Sequence, residues 1–173
     1  MLQAFDNSFS KPPLTRSGWM ALLARAPTAM LEQALGVHGQ LTPIWLRRPE
    51  TGLMMVEART GGTGQRFNLG EVTVTRCALR LPEANGQTST DNGVVGVAYV
   101  MGRIAQQAKL AAIADALLQD PAQSPWVQSQ LLEPLRLHLG QLEAQRSADV
   151  ATTKVEFFTV AREAGSGDEG DEE

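Results

Sequence analysis

Metal ligands and thiols are scarce in this chain. One cysteine, Cys77, cannot close an internal disulfide, and two histidines, His38 and His138, fall at no spacing that would build a metal cage, so a structural zinc is set aside. No apolar run approaches the roughly 18 residues that a membrane helix needs. The opening stretch MLQAFDNSFSKPPLTRSGW joins no basic segment to an apolar run and a small-residue cleavage site. A cytoplasmic protein that partners neither membrane nor nucleic acid is expected. No serine sits in a nucleophile elbow, and no lysine follows the glycine-rich stretch in the way a phosphate loop requires. A self-sufficient active site is not expected.

What is present fits one globular domain. The chain has 173 residues, 43% hydrophobic and 20% charged. Its net charge of -4 comes mostly from the tail GSGDEGDEE (165–173), which holds five acids and no base, leaving 15 bases against 14 acids before it. The composition predicts a flexible lead-in over 1–14, a single domain over 15–164 and a disordered acidic tail over 165–173. Between Arg47 and Arg80, six arginines face only three acids, Glu50, Glu57 and Glu71, so a basic patch lies on a near-neutral body.

Periodicity supplies the fold class. Thr15 or Ser17 can cap a helix carrying Trp19, Met20, Leu22 and Leu23, and Pro27 suits the first turn of a second helix that ends at Gly36. From Thr42 the period becomes two. TPIWLRR and TGLMMVEAR, separated by Pro49-Glu50-Thr51-Gly52, read as a hairpin; GEVTVTRCALRL and GVVGVAYVMG follow as third and fourth strands, joined by a polar loop over 82–93. Short links favour antiparallel pairing. After Gly102 the helical period returns, with Ile104, Ala108, Ala111, Ala112, Asp115 and Leu118 on one stripe. A further helix starts at Ser124-Pro125, turns Trp126, Leu131, Leu132, Leu135, Leu139 and Leu142 inward, is broken or kinked by Pro134, and is expected to run on through TTKVEFFTV (152–160). The class is α+β, a four-stranded antiparallel sheet flanked by N-terminal and C-terminal helices.

Strand alternation leaves both sheet faces largely apolar, so either the chain's own helices or a partner subunit must cover the second. The stretch EARTGGTGQRFNLGEVTVTR (57–76) concentrates four glycines and three arginines. A nucleotide-binding glycine loop needs a helix after it, whereas β-branched residues follow here. Two readings stay open: a glycine-rich turn with solvated arginines, or a loop that allows close backbone approach while Arg59 and Arg66 offer forked donors to an anionic group. Glu57 and Glu71 could form an acid/base pair, but pairing of Glu57 with Arg59 and of Glu71 with Arg76 is the plainer expectation.

The segments RRPETGLMMVEARTGGTGQRFNLGEVTVTRCALRL (47–81), YVMGR (99–103), DALL (115–118) and KVEFFTVAR (154–162) resemble the PhnG family, a subunit of the bacterial carbon-phosphorus lyase core complex. The likeness runs in order from Trp19-Met20 to about Arg162. It implies a hetero-oligomer with three other kinds of subunit that takes ATP and an alkylphosphonate, displaces adenine and attaches the phosphonate to the ribose anomeric carbon. It also implies that the nucleosidase centre lies on a larger partner, so this chain holds no catalytic residue, metal or cofactor, with ATP a substrate of the complex. The family motif falls on Arg59, Gly61, Gly62, Thr63, Gly64, Arg66, Gly70, Glu71, Thr75, Arg76, Gly102 and Arg103, and on Val155, Glu156, Phe157, Phe158 and Thr159. The expectation for the turn is that Arg59, Arg66 and Arg76 make buried interface bonds. The independent alternative is a small-anion or nucleotide module.

Overall fold

The computed structural model describes residues 15–82 and 93–153. The lead-in, the acidic tail, most of the 82–93 loop and the segment from 154 onward, with Phe157 and Phe158, lie outside the described residues. Helix α1 (Arg16–Leu23) starts on Thr15, whose side-chain oxygen accepts the Gly18 N–H. Helix α2 (Thr28–Leu35) starts after Pro27 and stops at Gly36, where a φ of +47° suits glycine. A 3-10 turn over Gly36–Gln40 leads into the sheet.

The sheet has three antiparallel strands in the order β1 (Ile44–Arg59), β2 (Arg66–Arg80), β3 (Val95–Met101). This corrects the four-strand expectation. Pro49-Glu50-Thr51-Gly52 is no hairpin turn; the chain passes straight through it, with register shifts between Trp45 and Arg47 and between Arg47 and Glu50. The physical reason is position. β1 is an edge strand, where a proline at a bulge withholds no ladder donor, so the residues that suggest a turn are tolerated inside a strand.

Helix α3 (Ala105–Gln119) lies on one face of β2 and β3 and forms the centre of the molecule, buried at nearly every position from Gln107 to Leu118. It is therefore apolar almost all round rather than striped. Ile104 departs from expectation: it sits exposed, ahead of the first helical turn. Small residues set the spacing. A Cβ at Gly96 of β3 would overlap the Ala112 carbonyl oxygen of α3, so backbone packs directly on backbone. Leu31 and Leu35 of α2, Cys77 and Leu79 of β2, and Leu131, Leu132 and Leu135 complete the core.

Helix α4 (Ser124–Val127) opens on Ser124-Pro125 and passes through a π turn over Gln128–Leu132 into α5 (Glu133–Thr152). The break or kink expected at Pro134 takes the form of this π turn just ahead of it. Proline cannot donate to the carbonyl one turn back, and the widened turn before it absorbs the loss while the chain stays helical. The chain divides into two compact units after Leu139. In the second, every described residue from Gly140 to Thr153 is exposed, Leu142 included, so Leu142 does not join the core.

Candidate functional site

β3 pairs only with Val74–Arg80, so β1 and β2 continue past it as a two-stranded arm. Along this arm Leu53, Met54, Met55, Phe67 and Leu69 are exposed, Leu53 and Leu69 by about two thirds, at 66% and 65%. One sheet face is thus covered by the chain's own helices, while the arm carries uncovered apolar side chains at consecutive positions on β1. Exposed apolar groups gathered in this way mark an interaction surface.

The glycine-rich stretch is the tip of the arm. Thr60–Gly62 form a 3-10 turn, Gly61 takes a φ of +58°, and the Gly64 N–H donates to the Thr60 carbonyl at 2.8 Å. A Cβ at Gly64 would lie 2.7 Å from that same carbonyl oxygen, so the turn itself demands glycine there. Strand β2 follows, and among the described residues no α-helix starts at the loop. Arg59 and Arg66 stand opposite each other in the register, a like-charge pair that each residue relieves elsewhere. The Arg59 guanidinium donates to the Gly64 carbonyl at 3.2 Å, and Arg66 meets Glu57 at 3.6 Å. Glu57 therefore pairs with Arg66 rather than Arg59. Both partners are solvated, so this ion pair contributes at most about 1 kcal/mol.

Arg76 belongs to a second cluster at the root of the arm. Its Nε donates to Glu50 at 2.8 Å, and Glu50 also meets Arg47 at 3.3 Å. Arg76 therefore pairs with Glu50 and not with Glu71, which stands opposite Met55 and has no ion pair among the described residues. A shallow cleft of about 400 Å³ opens here between Leu46, Arg47, Arg76, Val97 and Tyr99. Nearby, the Thr75 hydroxyl donates to the Gly102 carbonyl at 2.7 Å and sits 3.2 Å from the Thr51 hydroxyl, while the Gly102 N–H donates to Thr73. Gly102, with a φ of +95°, turns the chain out of β3, and Arg103 beyond it is exposed. Arg66 and Arg76 lie ten residues apart on one strand, on the order of 30 Å at strand rise. Arg59, Gly61, Gly62, Thr63, Gly64 and Arg66 come together at the tip; Arg76 and Arg103 do not join them. No small anion can touch both ends.

Catalytic chemistry has few candidates. Cys77 is buried, its thiol donates to the Ala108 carbonyl at 3.2 Å, and burial pushes it up to about 11. His38 packs its ring against Trp126. Among the described residues no group of three or more His, Cys, Asp or Glu could hold a metal, and no helix is long and apolar enough to cross a membrane.

One residue that sequence reasoning treated as part of an apolar stripe is a polar hub. Asp115 is fully buried, and its carboxylate accepts from the Arg16 guanidinium, the Trp19 indole, the Val97 N–H and the Gln119 amide. The signal was available: an acid on the buried face of a helix must find donors, and Arg16 and Trp19 lie three apart on one helix.

Fold and site define an α+β protein whose distinguishing surface is an exposed, arginine-bearing β-arm. The family model described as "Phosphonate metabolism protein PhnG" matches residues 14–163, and the chain belongs to that family. It is similar to the Rhizobium meliloti (strain 1021) protein named alpha-D-ribose 1-methylphosphonate 5-triphosphate synthase subunit PhnG, with 36% identity over 165 residues, covering 94% of this chain and 98% of the relative.

Proposed function

We propose that this chain is a required, non-catalytic subunit of a cytoplasmic phosphonate carbon-phosphorus lyase core complex. In this reading the complex attaches an alkylphosphonate to the ribose anomeric carbon of ATP and displaces adenine; ATP is the substrate of the assembly, and this chain contributes no cofactor or metal. The family match over nearly the whole chain, to a relative named as a synthase subunit, carries the reading. The arm supports it, because a surface with Leu53, Met55 and Leu69 uncovered is suited to a partner chain. The arginines at its two ends, with Arg103, serve that interface, since forked guanidinium groups suit carboxylates and carbonyls. Separation of Arg59 and Arg66 from Arg76 counts against an independent small-anion module.

Co-expression of the tagged chain with the other subunits, followed by pull-down, tests the reading. A stable multi-subunit complex with synthase activity is expected, and activity is lost when this chain is omitted. A well-behaved monomer that recruits none of the other subunits overturns it.

A further inference from the structure

The two edges of the sheet are treated differently. At the β3 edge, side chains occupy the outward backbone groups: the Val97 N–H donates to Asp115 at 3.0 Å, and the Val95 carbonyl accepts from Gln119 at 2.9 Å and Arg16 at 3.3 Å. A strand arriving there would have to displace a buried ionic hub. At the β1 edge nothing comparable is present; no backbone group of Ile44–Arg59 bonds to a described residue outside the sheet ladder. From Thr51 to Ala58 this edge runs for eight residues without proline, about 26 Å of strand. A long, apolar edge with free N–H and C=O groups is a template for another strand, and natural sheets blunt such edges unless they are used.

We propose that the outer edge of β1 from Thr51 to Ala58 receives an extended strand from a partner subunit, which continues the sheet by one strand. This deepens the assembly reading above and rests on it. Main-chain hydrogen bonds supply the registration, and side chains along Leu53–Val56 supply apolar contact on both faces. Charge selects the occupant. Among the described residues Arg48 meets no carboxylate and Arg59 meets only a carbonyl, and these two bracket the open segment. The incoming strand is therefore apolar at its centre and acidic at its ends. A second copy of this chain fits less well, because the 47–80 region is itself a net +3 and would meet its own arginines.

Hydrogen exchange on the co-expressed complex, resolved to single amides, tests this. In a strand every second amide points outward. The inward set between Thr51 and Ala58 already bonds to β2 and exchanges slowly with or without partners. The outward set slows by roughly 100-fold or more on assembly. A photo-crosslinking residue in place of Leu53 then joins the chain to another kind of subunit. Outward amides that exchange as fast in an intact complex as in the free chain overturn the edge proposal and leave the assembly reading standing. Crosslinks only between copies of this chain overturn the choice of occupant. Failure of any complex to form overturns both proposals.

Discussion

Asp115 accepts the Trp19 indole N–H at 2.8 Å across a separation of 96 residues, and the same carboxylate holds Arg16 at 2.7 Å. One buried acid thereby fastens α1, α3 and the outer backbone of β3. Removing it should leave the Trp19 indole and the Val97 N–H without an acceptor, whereas Gln119 keeps the Val95 carbonyl. Asp115→Ala should therefore cost about 3 kcal/mol or more, and Asp115→Asn, which keeps one acceptor oxygen, should cost less. Urea unfolding of the two variants checks the order; equal midpoints for Asp115→Ala and the parent chain would falsify the hub.

Gly96 supplies a second expectation. A methyl group there meets the Ala112 backbone, which cannot swing aside as a flexible side chain would. Gly96→Ala should destabilise by roughly 1–3 kcal/mol through forced separation of β3 and α3. Gly52→Ala, at an exposed strand position where a Cβ meets nothing within 4 Å, is the control and should be close to neutral. Thermal melts of both settle the comparison.

Burial of Cys77 sets a reactivity and a pH dependence. With the thiol raised from 9.0 to about 11, iodoacetamide should label the native chain very slowly at pH 8 and the urea-unfolded chain readily. The folded pKa exceeds the unfolded one, so the stabilisation is fully present below about pH 9 and lost as pH rises towards 11. Cys77→Ala should remove that part of the alkaline loss, as read from unfolding midpoints at pH 8 and pH 10.5. Rapid native labelling at pH 8 would contradict the buried, hydrogen-bonded thiol.

Glu57 and Glu71 bear on whether chemistry resides here. Glu57 is occupied by Arg66, and Glu71 stands opposite Met55 on the arm. Glu57→Gln and Glu71→Gln should leave the turnover of an intact complex within a few-fold, whereas removing a general acid or base costs roughly 100-fold or more. A loss of that size in a complex of normal composition would assign catalysis to this chain.

Exposed apolar residues on the arm predict behaviour outside the complex. The isolated chain should self-associate at the concentrations used for light scattering, and Leu53→Ser combined with Leu69→Ser should reduce that tendency without lowering the melting temperature, because neither side chain is buried. Unchanged aggregation would move the sticky surface elsewhere.

Local signals were legible where one residue decides the outcome. Thr15, Pro27 and Gly36 mark helix limits, Asp120-Pro121 follows the end of α3, and β-branched residues after the glycines identify a strand where a phosphate loop would need a helix. Pro49 misled because its meaning depends on whether a strand is central or at the edge, which no local pattern contains. Ion pairing failed for a related reason. Which arginine meets Glu57 or Glu50 is set by cross-strand register, and three shifts between β1 and β2, one of them between Val56 and Glu57, displace that register. Asp115 was read as one member of a stripe because two of its donors, Arg16 and Trp19, lie nearly 100 residues away in sequence.

That separation also acts during synthesis. Arg16 and Trp19 are made about a hundred residues before the acid that binds them, an interval of roughly 5–20 s at ordinary bacterial elongation rates. Throughout it the first helix is an eight-residue segment without the carboxylate that receives its guanidinium and indole, too short to persist alone. The amino-terminal helix is thus among the first parts translated and among the last able to lock, and a ribosome stalled before residue 115 holds a chain whose β-arm is complete while its anchor is missing.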